Sequence, residues 1–268
     1  MNAQPSNARL LTSRHITLRG DVMVLTLSNP GARNALHPDI YAQAIEVFET
    51  IAQDDTIRAV VLTGADDFFC AGGNLNRLLH NRTLDRSVQA ESIDLLGSMV
   101  EAMTQCEKPL IAAVEGAAAG AGCALALGCD MIVAAQGAKF AAAYAKNGLS
   151  PDAGLTWFLP QLLPRPVAFE MAVMGEVMTA ERLQTLGVVS RVVPPKTALA
   201  EAIELAKRLA AGPQNVQSGI KKLLQDASTR GLSEHLFIEG EGFVNALFEH
   251  DAHEGMTAFL EKRAPQFK

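Results

Sequence analysis

The sequence predicts an α/β fold: a sheet covered by helices on both faces, followed by a helical C-terminal region. Three observations carry this. The runs AVVLTG (59–64) and PLIAAVEG (109–116) are almost wholly apolar, as strands buried on both faces must be. A segment with helical spacing separates the early strand runs. From about residue 165 the pattern becomes helical and stays so to the end.

The elements follow in order. Residues 1–14, with no apolar periodicity, read as a loose N-terminal tail. VMVLTLSNP (22–30) is a β-rich run closed by turn residues. HPDIYAQAIEVFETIAQDD (37–55) puts Ile40, Ala44, Val47, Phe48 and Ile51 on one helical face. The strand AVVLTG follows, then PLIAAVEG and DMIVAA (130–135). Segments beginning at 166, 179, 198, 213, 232 and 252 are helical, several of them ending in Gly. No internal repeat or low-complexity linker divides the chain. The expected organisation is an α/β core over 15–200 and a helical subdomain over 201–268.

Composition narrows the function classes. Of 268 residues, 49% are hydrophobic and 19% charged, which supports a sizeable core. A net charge of -6, with no Lys/Arg run, argues against a nucleic-acid partner. The four cysteines form no C-x-x-C pair, so a reduced, cytoplasmic setting without disulfides is expected. The N-terminus has no apolar signal region, and charges interrupt the alanine-rich runs, so no membrane association is expected. His250 and His253 are three apart, a spacing metal sites use, but they lie on a polar segment and no metal is expected.

The chemistry is expected where side chains are smallest. GAAAGAGCALALGCD (116–130) follows a strand and leads into a helix, whose first amides are left unpaired by helix geometry. Such N–H groups favour an oxyanion or phosphate, and small side chains let a ligand approach the backbone. The glycine spacing fits neither a phosphate-binding loop ending in G-K-[ST] nor a dinucleotide fingerprint. A helix packed tightly on another backbone would use the same residues, and that reading stays open from this stretch alone. DDFFCAGGNLNRL (66–78) repeats the arrangement after the strand 59–64. Two bare junctions can direct two N–H donors at one developing negative oxygen.

FFCAGGNL and VEGAAAGAGCALALGCD resemble the two signature segments of the crotonase (enoyl-CoA hydratase/isomerase) superfamily. NPGARNAL (29–36), GLSPDAGLTWFLPQLLP (148–164), TAERLQTLGVVSRVVP (179–194) and FLEKRAPQF (259–267) also fit, in order. The resemblance runs from about residue 15 to the C-terminus. It implies a spiral of ββα units with a C-terminal helical trimerisation region, assembled as a homotrimer or a dimer of trimers. It also implies an acyl-CoA substrate and no separate cofactor, since coenzyme A belongs to the substrate.

By position, the resemblance implies that the amides of Gly73 and Ala121 form an oxyanion hole for the thioester carbonyl. It places Arg33, Ala35, Ala71, Asn74 and Leu75 near the coenzyme, with Arg33 and Lys262 as phosphate partners. Asn74 stands where the family usually has Asp and reads as support for its loop. The two hydratase glutamates correspond here to Ala124 and Tyr144. Adding water needs one group to activate it and another to deliver a proton, and this chain lacks the usual pair.

Asp152 remains as the acid/base candidate. A single carboxylate at this place suffices in the isomerase branches, because one group removes and returns the proton. The P-D-x-G-x-[ST]-W pattern is closest to isomerases of phenylacetate breakdown. Capping the helix that follows is the competing role for Asp152. Tyr144 is a candidate proton donor, or else a core tyrosine. Double-bond isomerisation of an enoyl-CoA is the leading expectation. Hydration by Asp152 with Tyr144, opening of an oxepin-type CoA ring, and silent acyl-CoA binding are the alternatives. Glu115 is expected to be structural, and Cys70 and Cys123 lack an activating His.

Overall fold

The computed structural model describes residues 7–267. Among these, a six-stranded sheet is built from β1 (Arg9–His15), β2 (Asp21–Ser28), β3 (Ile57–Gly64), β4 (Leu110–Val114), β6 (Met131–Ala135) and β9 (Arg191–Val193), in that spatial order. All neighbours pair in parallel except β1 with β2. A three-stranded sheet joins β5 (Ala117–Ala119), β7 (Lys139–Ala141) and β8 (Val177–Thr179).

Period-two alternation divides the large sheet's side chains between two cores. Val22, Val24, Ala59, Val61, Ile111, Ala113 and Val133 face α8 (Ala198–Ala210), which buries Ala202, Ala206 and Ala210 against them. Leu25, Leu27, Val60, Leu62, Ala112 and Val114 point the other way. There they meet α1 (Pro38–Gln53), α3 (Arg86–Gln105) and the short α4 (Ala121–Leu127), which is buried all round. The sheet is covered on both faces, as its apolar runs require.

The chain returns to this frame in ββα turns. β4 enters the large sheet, β5 the small one, and α4 then packs behind. β6 and β7 repeat the step, followed by α5 (Leu155–Leu162). The remaining helices are α2 (Leu75–Asn81), α6 (Arg165–Phe169), α7 (Ala180–Thr185), α9 (Gln214–Asp226), α10 (Leu232–Leu247) and α11 (His250–Glu261). Glu115 accepts hydrogen bonds from the Lys196 and Ala198 amides, at 3.1 and 2.9 Å, and so satisfies the start of α8. That is the structural role expected for it.

The expected tail over 1–14 needs correction in part. Residues 9–14 belong to β1, which pairs along its whole length with β2 from Arg9↔Ser28 to His15↔Val22. Its outward residues are polar because it is an edge strand, which hides it from an apolar-run search. Residues 1–6 lie outside the described residues. A strand, β5, also stands where a plain loop was expected before α4.

The C-terminal helices differ from the rest. α9 and α10 bury no residue fully and α11 buries only Ala258. Phe237, Phe243, Phe248, Phe259 and Leu260 stand exposed. Among the described residues, no helix is long and apolar enough to cross a membrane.

Candidate active site

Two strand-to-helix junctions meet at the site. The first runs from β3 through Cys70–Gly73 into α2, and the second from β5 through Gly120 into α4. Backbone pairing brings them together: Cys70 bridges Ala118 in parallel, and the Ala119 amide donates to the Cys70 carbonyl at 2.9 Å. No side chain fits between them. A methyl group on Gly72 would lie 2.5 Å from the Ala119 oxygen and 3.1 Å from the Ala121 nitrogen; on Gly122 it would lie 2.6 Å from Cys70 Cβ. Gly72 and Gly120 also have φ of +80° and +53°, the left-handed region that favours glycine. Tight packing and ligand access are therefore both served by the same small residues.

The contact leaves two amides free. Neither the Gly73 nor the Ala121 N–H has a hydrogen-bond partner among the described residues. Gly73 is solvent-exposed and Ala121 is nearly buried. A departure from Gly at 121 is tolerated because only the N–H is presented.

The segment 33–36 is zipped onto the first junction. Ala71 N–H donates to the Arg33 carbonyl at 3.0 Å and Leu36 N–H to the Gly72 carbonyl at 2.8 Å. Buried Asn34 fastens the same loop, donating through Nδ2 to the Ala65 and Phe68 carbonyls at 2.8 and 2.7 Å. Ala35 is buried, and Arg33 is exposed with its guanidinium 5.7 Å from the Phe68 ring centre. Asn74 is the N-cap of α2, its side chain accepting from the Arg77 N–H at 3.2 Å, and Leu75 is half-exposed. The predicted coenzyme-side residues 33, 35, 71, 74 and 75 are thus brought together. Lys262 is not joined to them by any hydrogen bond or ion pair among the described residues; it ends α11 as an exposed left-handed cap.

Asp152 and Tyr144 face each other across this junction. The Tyr144 hydroxyl donates a very short hydrogen bond to Asp152 Oδ1. The same ring end lies beside Gly120, where an added methyl would come within 3.8 Å of Cζ and 3.9 Å of the hydroxyl. Capping by Asp152 is overturned: the N-cap of α5 is Gly154, with no side-chain cap bond, and the carboxylate is taken by Tyr144. Ala143 and Ala153, the neighbours of the pair, hold φ of +48° and +52°. Such conformations cost of order 1–3 kcal/mol each and persist only where their surroundings enforce them.

The electrostatics follow from burial. Loss of solvent pushes the Asp152 carboxyl above its ordinary range, while the Tyr144 donor pulls it partly back. Burial and the adjacent carboxylate together push the Tyr144 phenol far up, so it stays a neutral donor. Cys70 and Cys123 are fully buried, and desolvation pushes both thiols up to about 12. Neither is a nucleophile at neutral pH. Ala124 is fully buried, with no carboxylate in its place. Among the described residues, no three His, Cys, Asp or Glu side chains group to hold a metal ion.

Residues 17–268 match the family described as enoyl-CoA hydratase/isomerase. The chain belongs to that family. Among its relatives, the 1,2-epoxyphenylacetyl-CoA isomerase of Escherichia coli is 38% identical, over 92% of this chain and 94% of that one. The 2,3-dehydroadipyl-CoA hydratase of the same organism is 36% identical, over 92% and 95%. A solved enoyl-CoA hydratase structure from Polaromonas sp. JS666 superposes with a TM-score of 0.93 at 45% identity, over 97% and 100%. The fold is that of the crotonase superfamily, and the enoyl-CoA hydratase/isomerase family is one of enzymes.

One cluster beside the site escaped sequence reasoning. Tyr41 on α1 and Arg77 on α2 adjoin one another: burial pushes the Tyr41 phenol up to about 12, against the pull of Arg77 and with a further push from the charge of Asp152. Tyr41 occupies the buried face of an amphipathic helix and Arg77 a polar one, so neither had a signal of its own.

Proposed function

We propose that the protein is an enoyl-CoA isomerase that moves a double bond with Asp152 as its one acid/base. The observation carrying this reading is the lone half-buried carboxylate of Asp152, held by Tyr144 beside two free amides, with Ala124 where a second acid would stand. The Asp152 carboxylate removes a proton from C2 of a 3-enoyl-CoA. The C–H electron pair flows into the conjugated system and onto the thioester oxygen. The Gly73 and Ala121 N–H groups stabilise that oxyanion. The protonated Asp152 then delivers its proton to C4, the oxygen returns its electrons, and a conjugated 2-enoyl-CoA leaves. The raised carboxyl suits both halves of this cycle, since an ordinary carboxylate is too weak a base. Arg33 and the 71–75 loop bind the coenzyme portion.

The name of the 1,2-epoxyphenylacetyl-CoA isomerase relative supports isomerisation and extends it to cyclic acyl groups. Hydration is the second reading, favoured by the Tyr144–Asp152 pair, which offers two protic groups. Ultraviolet absorbance of the conjugated thioester separates the two. With a 3-enoyl-CoA an isomerase gives a rise that persists. With a conjugated 2-enoyl-CoA a hydratase gives a fall, and a rise followed by decay from the 3-enoyl-CoA means both activities. No change with linear or cyclic substrates sinks both and favours silent acyl-CoA binding.

The exposed aromatic side chains of α10 and α11 support assembly with further copies of this chain, as a trimer or a dimer of trimers. Light scattering tests that; a monomeric mass at micromolar concentration would overturn it.

A further inference from the structure

We propose that the Arg77 guanidinium, with the Tyr41 and Ser92 hydroxyls, forms a subsite that binds a carboxylate carried on the acyl group. This rests on the acyl-CoA reading above and adds the class of acyl chain.

Arg77 is unlike the other strongly engaged arginines. Arg14, Arg230 and Arg263 each hold at least one carboxylate at 3.0 Å or less. Arg77 pairs with no carboxylate among the described residues. Its Nε is buried without a hydrogen-bond partner; the rest of the guanidinium meets only hydroxyls, Ser92 Oγ at 3.5 Å from Nη1 and the Tyr41 phenol. Placing part of a guanidinium out of water without a counter-charge is unfavourable. A ligand that supplies two oxygens in the plane of the fork would remove that penalty.

The position fits the acyl end of the substrate. Arg77 lies in the first turn of α2, four residues beyond Gly73, whose amide faces the thioester oxygen. Its neighbours Tyr41 and Ser92 are buried on α1 and α3, at 3% and 8% exposure, so the subsite is walled by three helices. Tyr41 is hydrogen-bonded to Arg77 and lies close enough to Asp152 to feel its charge. On the proposed reading, an acyl chain held at the Gly73 amide and Asp152 has Tyr41, and Arg77 bonded to it, as neighbours. The remainder of the α1 face and α3 is apolar, with Ile40, Ala44, Leu96 and Met99 buried. A carboxylate has one charged partner there.

The test is equilibrium binding of two saturated thioesters that cannot be isomerised, adipoyl-CoA and hexanoyl-CoA. They share a six-carbon chain and differ in the terminal carboxylate. Wild-type protein is expected to bind adipoyl-CoA roughly ten- to a hundred-fold more tightly. In Arg77→Gln that ratio falls to about one, and Arg77→Lys, which keeps the charge without the fork, retains an intermediate ratio. Equal affinities in the wild type overturn the subsite and leave the acyl-CoA reading intact. A preference that survives in Arg77→Gln overturns the role of Arg77. Failure of both thioesters to bind overturns the acyl-CoA reading, and the subsite with it.

Discussion

The junction of β3, β5, α2 and α4 and the layer of α9, α10 and α11 are built on opposite terms. At the junction the packing is closed within the chain, two outward amides apart: Gly122 has no room for a methyl beside Cys70, and Gly72 has none beside Ala119. In the C-terminal helices Phe237, Phe248 and Phe259 are 64, 84 and 82% exposed, so their apolar surface meets nothing in the same chain. The first region is determined by internal packing, and it is where we place the chemistry. The second is left open, and its energetics depend on what covers it.

The sharpest way to separate the two is chemical. Asp152→Asn is expected to lower kcat by about 10²–10⁴, or roughly 3–5 kcal/mol of barrier. Thermal stability should not fall, and at neutral pH should rise slightly because the buried charge is gone, while the mass by light scattering should not change. A loss confined to a factor of two would remove Asp152 from the mechanism. Next in size is Gly122→Ala, which forces a methyl against Cys70 and should cost roughly 1–3 kcal/mol of stability. A variant with unchanged Tm would mean the junction has slack and the contrast drawn above is wrong.

Tyr144→Phe probes the same region more gently. The hydroxyl favours the ionised carboxylate, so its loss raises Asp152 further. The acid limb of kcat/KM should move to higher pH, with about a ten-fold loss at the low end and less at the high end. Stability carries the matching sign. The folded state holds the Asp152 proton more tightly than the unfolded chain does. Stability should therefore fall as pH rises from 3.8 through the raised value, and this slope should vanish in Asp152→Asn. The smallest effect on the chain itself is expected from Phe259→Ser, within about 0.5 kcal/mol for an isolated copy. Its consequence should be a lower mass in solution. A large fall in Tm at concentrations where the chain is already dissociated would show that Phe259 packs internally.

Legibility in the sequence follows the same division. β2, β3, β4 and β6 were plain because buried parallel strands are unbroken apolar runs. β5, β7, β8 and β9 have three residues each, too few for any period to show. α3 did carry a signal in Leu96, Met99, Val100 and Met103, diluted by polar residues at its exposed start. Gly73 and Ala121 are candidates only through the resemblance, since a backbone amide has no residue type of its own, whereas Asp152 also stands out as the one carboxylate between Asp130 and Glu170. The residues beside the Tyr144–Asp152 bond, Ala143 and Ala153, are left-handed, which no propensity rule would place there. Lys262 is placed near the coenzyme by the resemblance alone, and within this chain no hydrogen bond or ion pair among the described residues joins it to the 33–36 and 71–75 segments.

The two tyrosines have a practical consequence. Tyr41 and Tyr144 are the only tyrosines in 268 residues, and both respond to the charge on Asp152. Fluorotyrosine incorporation would therefore give a fluorine spectrum with two lines, both arising at the site. Proton uptake by Asp152 and the arrival of a thioester could each be followed in the intact protein, with no signal from elsewhere to subtract.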